Sequence, residues 1–93
     1  MDNYDYLKAQ LLAKLYRKGY WGGRHTPLRS LFHLMDNVSI KESKRALKEV
    51  INLGWVFIKI STGEEHISLN SHKHKEIRDF IIKILKIDPM LLK

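Results

Sequence analysis

The spacing of apolar residues changes its period at Gly54, and this change points to a mixed fold. Before it, apolar residues recur three and four apart. Tyr4, Leu7, Leu11 and Leu15, with Leu12 on the flank, are the clearest set. They form one face of an amphipathic helix. After it, Trp55-Val56-Phe57-Ile58-Lys59-Ile60 is β-branched and aromatic, and Glu65-His66-Ile67-Ser68-Leu69-Asn70 alternates polar with apolar. Ser61-Thr62-Gly63-Glu64 lies between them as a turn, so the two runs read as a β-hairpin. Helical spacing then returns in Ile77, Phe80, Ile81, Ile84 and Leu85. At 93 residues the chain has the size of one small α+β domain, residues 1–93.

Caps and stops set the expected boundaries. The first helix runs from about Asn3 to Lys18, with Asp2 or Asn3 as cap, Asp5 in its first turn, Arg17 and Lys18 in its last, and Gly19 as its stop. Tyr20-Trp21-Gly22-Gly23-Arg24-His25-Thr26 has room for one short strand. Thr26 then caps a second helix, Pro27 takes its first position, and Leu28, Leu31, Phe32 and Met35 give it an apolar face that ends at Asp36-Asn37. Ser39-Ile40-Lys41-Glu42 is a capping box opening a third helix, residues 40–53, with Leu47, Val50 and Ile51 inward and Ile40 and Ser43 extending the stripe. Gly54 stops it. In the hairpin, Val56, Ile58, Ile60, Ile67 and Leu69 are expected inward, and Lys59, His66 and Ser68 outward. Trp55 and Phe57 then belong under a neighbouring loop or helix. The last helix runs from Ser71 or His72 to Lys86, and Pro89 ends it.

Charge narrows the function classes. Lys and Arg number 17 against 10 Asp and Glu, a net charge of +7. Such an excess favours polyanionic partners, nucleic acid first and acidic protein or anionic lipid second. Cysteine is absent, which excludes disulfides, a thiol nucleophile and Cys-ligated zinc or iron–sulfur sites. No stretch of about 18 apolar residues exists and the start has no secretory pattern, so no membrane association and a cytoplasmic location are expected. His25, His33, His66, His72 and His74 read as surface residues, because His72-x-His74 lacks the i, i+4 spacing of a helical zinc pair. No Ser/His/Asp ordering or buried acid pair is evident. No catalytic residue, metal, cofactor or small-molecule substrate is therefore expected, and no enzyme.

Helix, short strand, helix, tight turn, helix, two-stranded hairpin, helix is the winged helix-turn-helix order: a three-helix core, a β-hairpin wing and an extra C-terminal helix. The chain resembles the small stand-alone winged-helix proteins common in archaea and their mobile elements. The likeness lies in Gly22-Gly23-Arg24-His25-Thr26-Pro27, in Leu53-Gly54-Trp55-Val56 entering the hairpin, and in Ile67-Ser68-Leu69-Asn70 leaving it before a basic helix. It covers nearly the whole chain and implies binding of double-stranded DNA.

In such folds the second helix of the turn motif enters the major groove. The expected DNA contacts there are Lys41, Ser43, Lys44, Arg45 and Lys48, with Arg45 as base reader and Lys48 on phosphate. Arg24 and Thr26 are candidates for one further phosphate, and Lys59 for another from the wing. Glu64 and Glu65 at the wing tip oppose DNA contact by repulsion. Phe80, Ile82, Ile84, Leu85, Ile87 and Leu91, in the 71–93 helix and tail, exceed what a small monomer covers and are expected to form a homodimer interface. The expected function is a dimeric transcription regulator. The alternative is a protein-interaction or RNA-associated winged-helix module in a larger complex.

Overall fold

The computed structural model describes residues 4–34 and 40–92. The elements in chain order are α1 (Tyr4–Lys18), β1 (Thr26–Pro27), α2 (Leu28–Leu34), α3 (Ile40–Asn52), β2 (Val56–Ser61), β3 (Glu64–Leu69) and α4 (His74–Leu85). Single 3-10 turns at Ser71–Lys73 and Pro89–Leu91 precede and follow α4. Among the described residues, four helices thus combine with a three-stranded antiparallel sheet of order β1-β3-β2. The expected caps Asp2, Asn3 and Ser39, Met35 of the second helix's apolar face, and that helix's expected end at Asp36-Asn37 lie outside the described residues.

α1 is the central post. Its Leu11, Leu12, Leu15 and Tyr16 are buried, and α3, α4, α2 and β3 all pack on it. The core is completed by Leu31 from α2, Leu47 and Val50 from α3, Val56 from β2, Ile67 and Leu69 from β3, and Ile77 and Ile81 from α4. Two helices end by the same device. Gly19 (φ +74°) and Gly54 (φ +79°) take left-handed backbones that glycine adopts without strain. Each donates to the carbonyl three residues back, and the next amide reaches five back: Tyr20 to Leu15 at 3.1 Å and Trp55 to Val50 at 3.0 Å. This is the paired closure of a Schellman motif.

Thr26-Pro27 does not open α2. It forms β1, with Thr26 opposite Ile67 and Pro27 opposite His66. Proline pushes the residue before it toward extended backbone, and its missing N–H is harmless on an edge strand. The chain before β1 also reaches the sheet: Leu69 donates to Tyr20 at 2.8 Å and Gly22 to Leu69 at 3.0 Å.

The hairpin departs from the expected facing. Val56, Ile67 and Leu69 are buried, but Ile58 is 42% and Ile60 65% exposed, and Phe57 is exposed too. β2 is an edge strand, and toward its end it runs past the core. Ser68 is buried and His66 half-buried instead of outward, because β3 is the central strand and is flanked on both sides. Trp55 is half-buried and meets Phe80 edge-on at 5.3 Å, as expected of a residue under a helix. The turn has positive φ at both Thr62 (+51°) and Gly63 (+81°), the pattern of a two-residue type I′ connection.

The last helix starts later and ends earlier than its apolar spacing indicates. Asn70 caps the turn before it by accepting from the His72 amide at 3.0 Å. The Asn70 side-chain amide also donates to the Gly54 carbonyl at 2.8 Å, tying the two ends of the hairpin together. α4 stops at a left-handed Lys86 (φ +54°), and Pro89 begins a separate turn capped by Asp88. Arg78 reaches back to the carbonyls of Pro89 (3.1 Å) and Leu92 (3.4 Å), and Leu92 is buried. Much of the C-terminal apolar excess is therefore used inside the chain. Phe80, Ile82, Leu85 and Ile87 are half-buried against the core and Ile84 is half-buried, while Met90 and Leu91 stay exposed.

Candidate nucleic-acid interface

α3 turns one side to the core and the other outward. Ser43, Ala46, Leu47 and Val50 are buried, and Lys41, Lys44, Arg45 and Lys48 are all exposed. At 3.6 residues per turn these four cations fall within an arc of about 100°, opposite Ser43 and Val50. At 1.5 Å per residue the row is roughly 10 Å long, close to the ~12 Å width of a B-DNA major groove.

Contacts between α1 and α3 shape this row. The Arg45 guanidinium lies over the Tyr4 ring, 5.2 Å from its centroid, which limits the rotamers the side chain must lose on binding. Glu49, on the flank of the helix, is engaged by Lys8 at 2.9 Å, and Lys8 also binds Asp5 at 2.9 Å. Lys8 is only 8% exposed. Burial pulls its pKa down, but the hydrogen bonds to Glu49 and Asp5 and their charges outweigh this, so the ammonium sits above its ordinary value. Lys8 thus ties α1 to α3 and offsets the charge of Glu49 beside the row.

The other expected contacts divide. Lys59 is exposed on β2, and Arg24 is exposed in the loop before β1, its guanidinium 5.9 Å from the Tyr20 ring centroid. Ser43 and Thr26 are buried, so neither presents a surface contact. Ser43 lies on the inner face of α3, in line with the buried Ala46, Leu47 and Val50; Thr26 is buried in the strand that pairs with β3.

The acidic wing tip is partly neutralised. Glu64 accepts from Arg29 of α2 at 3.2 and 3.4 Å, whereas Glu65 is exposed. Behind Glu64, two histidines expected at the surface form a pair. His25 Nδ1 and His66 Nδ1 are 2.8 Å apart with rings edge-on, and His66 Nε2 lies 3.8 Å from Glu64 with no hydrogen-bond partner among the described residues. His74 binds the Tyr16 hydroxyl at 3.2 Å beside Trp21. Among the described residues, no three metal-ligating side chains converge.

Lys8 and Arg29 shape this surface through partners that the sequence does not bring together, Glu49 and Glu64, 41 and 35 residues away. No helix among the described residues is long and apolar enough to cross a membrane. Comparison with known proteins finds no matching family model, no matching curated protein and no matching solved structure.

Proposed function

We propose that this chain is a winged helix-turn-helix protein that binds double-stranded DNA, with α3 in the major groove and the β2–β3 hairpin as wing, and that it acts as a dimeric transcription regulator. The observation that carries this reading is the row of Lys41, Lys44, Arg45 and Lys48, exposed along one side of a helix whose other side is fixed in the core. The element order and the pairing of β1 with β3 support the fold assignment. Lys41 and Lys44 stand toward the N-terminal end of the helix, the end that approaches base edges in such motifs. Arg45 offers a bidentate fork to guanine and Lys48 a point charge to phosphate. Lys59 is the wing contact, and the tether of Glu64 to Arg29 lowers the repulsion expected there. Pairing of two copies would use the C-terminal end, where Met90 is 74% and Leu91 62% exposed.

The test is fluorescence anisotropy with labelled random duplex DNA, single-stranded DNA and RNA, each with a neutral competitor. Duplex binding that the Lys44→Ala/Arg45→Ala variant loses supports the reading; unchanged affinity in a folded variant refutes it. Sedimentation at tens of micromolar tests the dimer. A folded monomeric Leu91→Lys variant with weaker duplex binding is expected, because Leu91 is exposed whereas Ile82 packs on the core, and a monomeric parent refutes the pairing. A second reading, a protein-interaction or RNA-associated module, is favoured by Phe57, Ile58 and Ile60 exposed on an edge strand. Under that reading RNA or a protein partner outcompetes duplex DNA.

A further inference from the structure

A second basic region lies away from the α3 row. Lys14 and Lys18, one turn apart on α1, face Arg29 and Ser30 of α2 across a cleft of about 480 Å³. The buried side chains Leu15, Thr26 and Leu31 line its inner part. The volume is in the range of pockets that hold small organic ligands, about 300–1,000 Å³. Among the described residues no carboxylate lines the cleft, and neither Lys14 nor Lys18 has an ion pair. Three cations around one concavity repel one another and concentrate a field for an anion. Arg29 alone has a counter-charge, Glu64 of the wing, in an exposed pair that a stronger acceptor displaces readily. Tyr20 adds an aromatic wall.

We infer that this cleft binds a small organic polyphosphate of nucleotide size. Lys14 and Lys18 hold the phosphates, Tyr20 borders the organic part, and Arg29 transfers from Glu64 to the ligand. Two or more phosphates match the three cations better than one, and a guanidinium binds phosphate through paired N–H donors. The inference is independent of DNA binding by α3, because no described α3 side chain lines the cleft.

Calorimetry of the full chain at low salt with ATP, ADP, pyrophosphate and adenosine tests it. ATP and ADP are expected to bind, pyrophosphate more weakly and adenosine not at all. Lys14→Gln/Lys18→Gln, with folding checked by circular dichroism, should weaken ATP at least tenfold. Lys44→Ala/Arg45→Ala should leave it unchanged. Glu64→Gln should tighten it several-fold by freeing Arg29, which a merely structural role for Glu64 would not do. The inference is overturned if ATP fails to bind at millimolar concentration, or if citrate or sulfate binds equally well. It is also overturned if the α3 variant loses as much affinity as the α1 variant, or if Glu64→Gln weakens binding.

Discussion

α3 and the β2–β3 hairpin each have an apolar and a polar side, yet they use the same residue types in opposite ways. On α3 the apolar side is sealed into the core, so the cations opposite are held on a fixed frame. Along the hairpin the seal holds at one end and fails at the other. Val56 and Leu69 face each other and both are buried; two residues on, Ile58 is 42% exposed opposite a fully buried Ile67. A helix covered along its length positions side chains for recognition, whereas a hairpin anchored at one end projects its tip.

The largest effect should come from cutting that anchor. Ile67→Ala should lose about 2–5 kcal/mol of stability by removing a fully buried side chain, while Ile58→Ala across the same pair should lose less than about 1. Urea unfolding measures both, and equal losses would mean that the sheet is covered on its edge. Next, Lys44→Ala/Arg45→Ala should cost roughly 2–4 kcal/mol of duplex affinity, against a stability loss of no more than about 1 kcal/mol from the Arg45–Tyr4 contact.

Lys8→Met should lower stability by about 1–2 kcal/mol by leaving Glu49 and Asp5 without their cation. Its pH dependence has a definite sign. The folded-state pKa lies above the ordinary 10.5, so the contribution of Lys8 is complete below about pH 10 and is lost as pH rises through the folded value. Thermal unfolding between pH 9 and 12 should show that loss in the parent and not in Lys8→Met. The smallest effect belongs to the tip. Thr62 holds a left-handed backbone that a β-branched residue disfavours, so Thr62→Asn should raise stability by about 0.5 kcal/mol. A melting temperature that falls would show that the Thr62 hydroxyl, 2.6 Å from the Ser61 carbonyl, matters more than backbone strain.

What the sequence reveals follows the range of the forces involved. Gly19, Gly54 and the α3 stripe are local, so period and stop residues located α1, α3 and the hairpin within a residue or two. Thr26-Pro27 carries equally local helix-start chemistry, but pairing with Ile67 some 40 residues away overrides it. Alternation along 56–60 marks a strand without telling how far the core extends beneath it, so Ile58 and Ile60 are misassigned. Ser43 lies among basic residues in sequence and faces the opposite way in space. Lys8–Glu49, Arg29–Glu64 and the His25–His66 pair depend wholly on tertiary placement. The tail is similar: counting apolar residues shows an excess, but only the reach of Arg78 back to Leu92 shows that part of it is satisfied within the chain.

The most direct measurement is the salt dependence of duplex DNA affinity for the parent and for Lys44→Ala/Arg45→Ala. If the four α3 cations meet phosphates and base edges, log K should fall with log salt at a slope of about −2 to −4, near −0.9 per phosphate neutralised. The double variant should flatten that slope by about one to two units. A parent slope near zero, or a variant with the same slope and affinity as the parent, would show that α3 is not the surface that meets DNA.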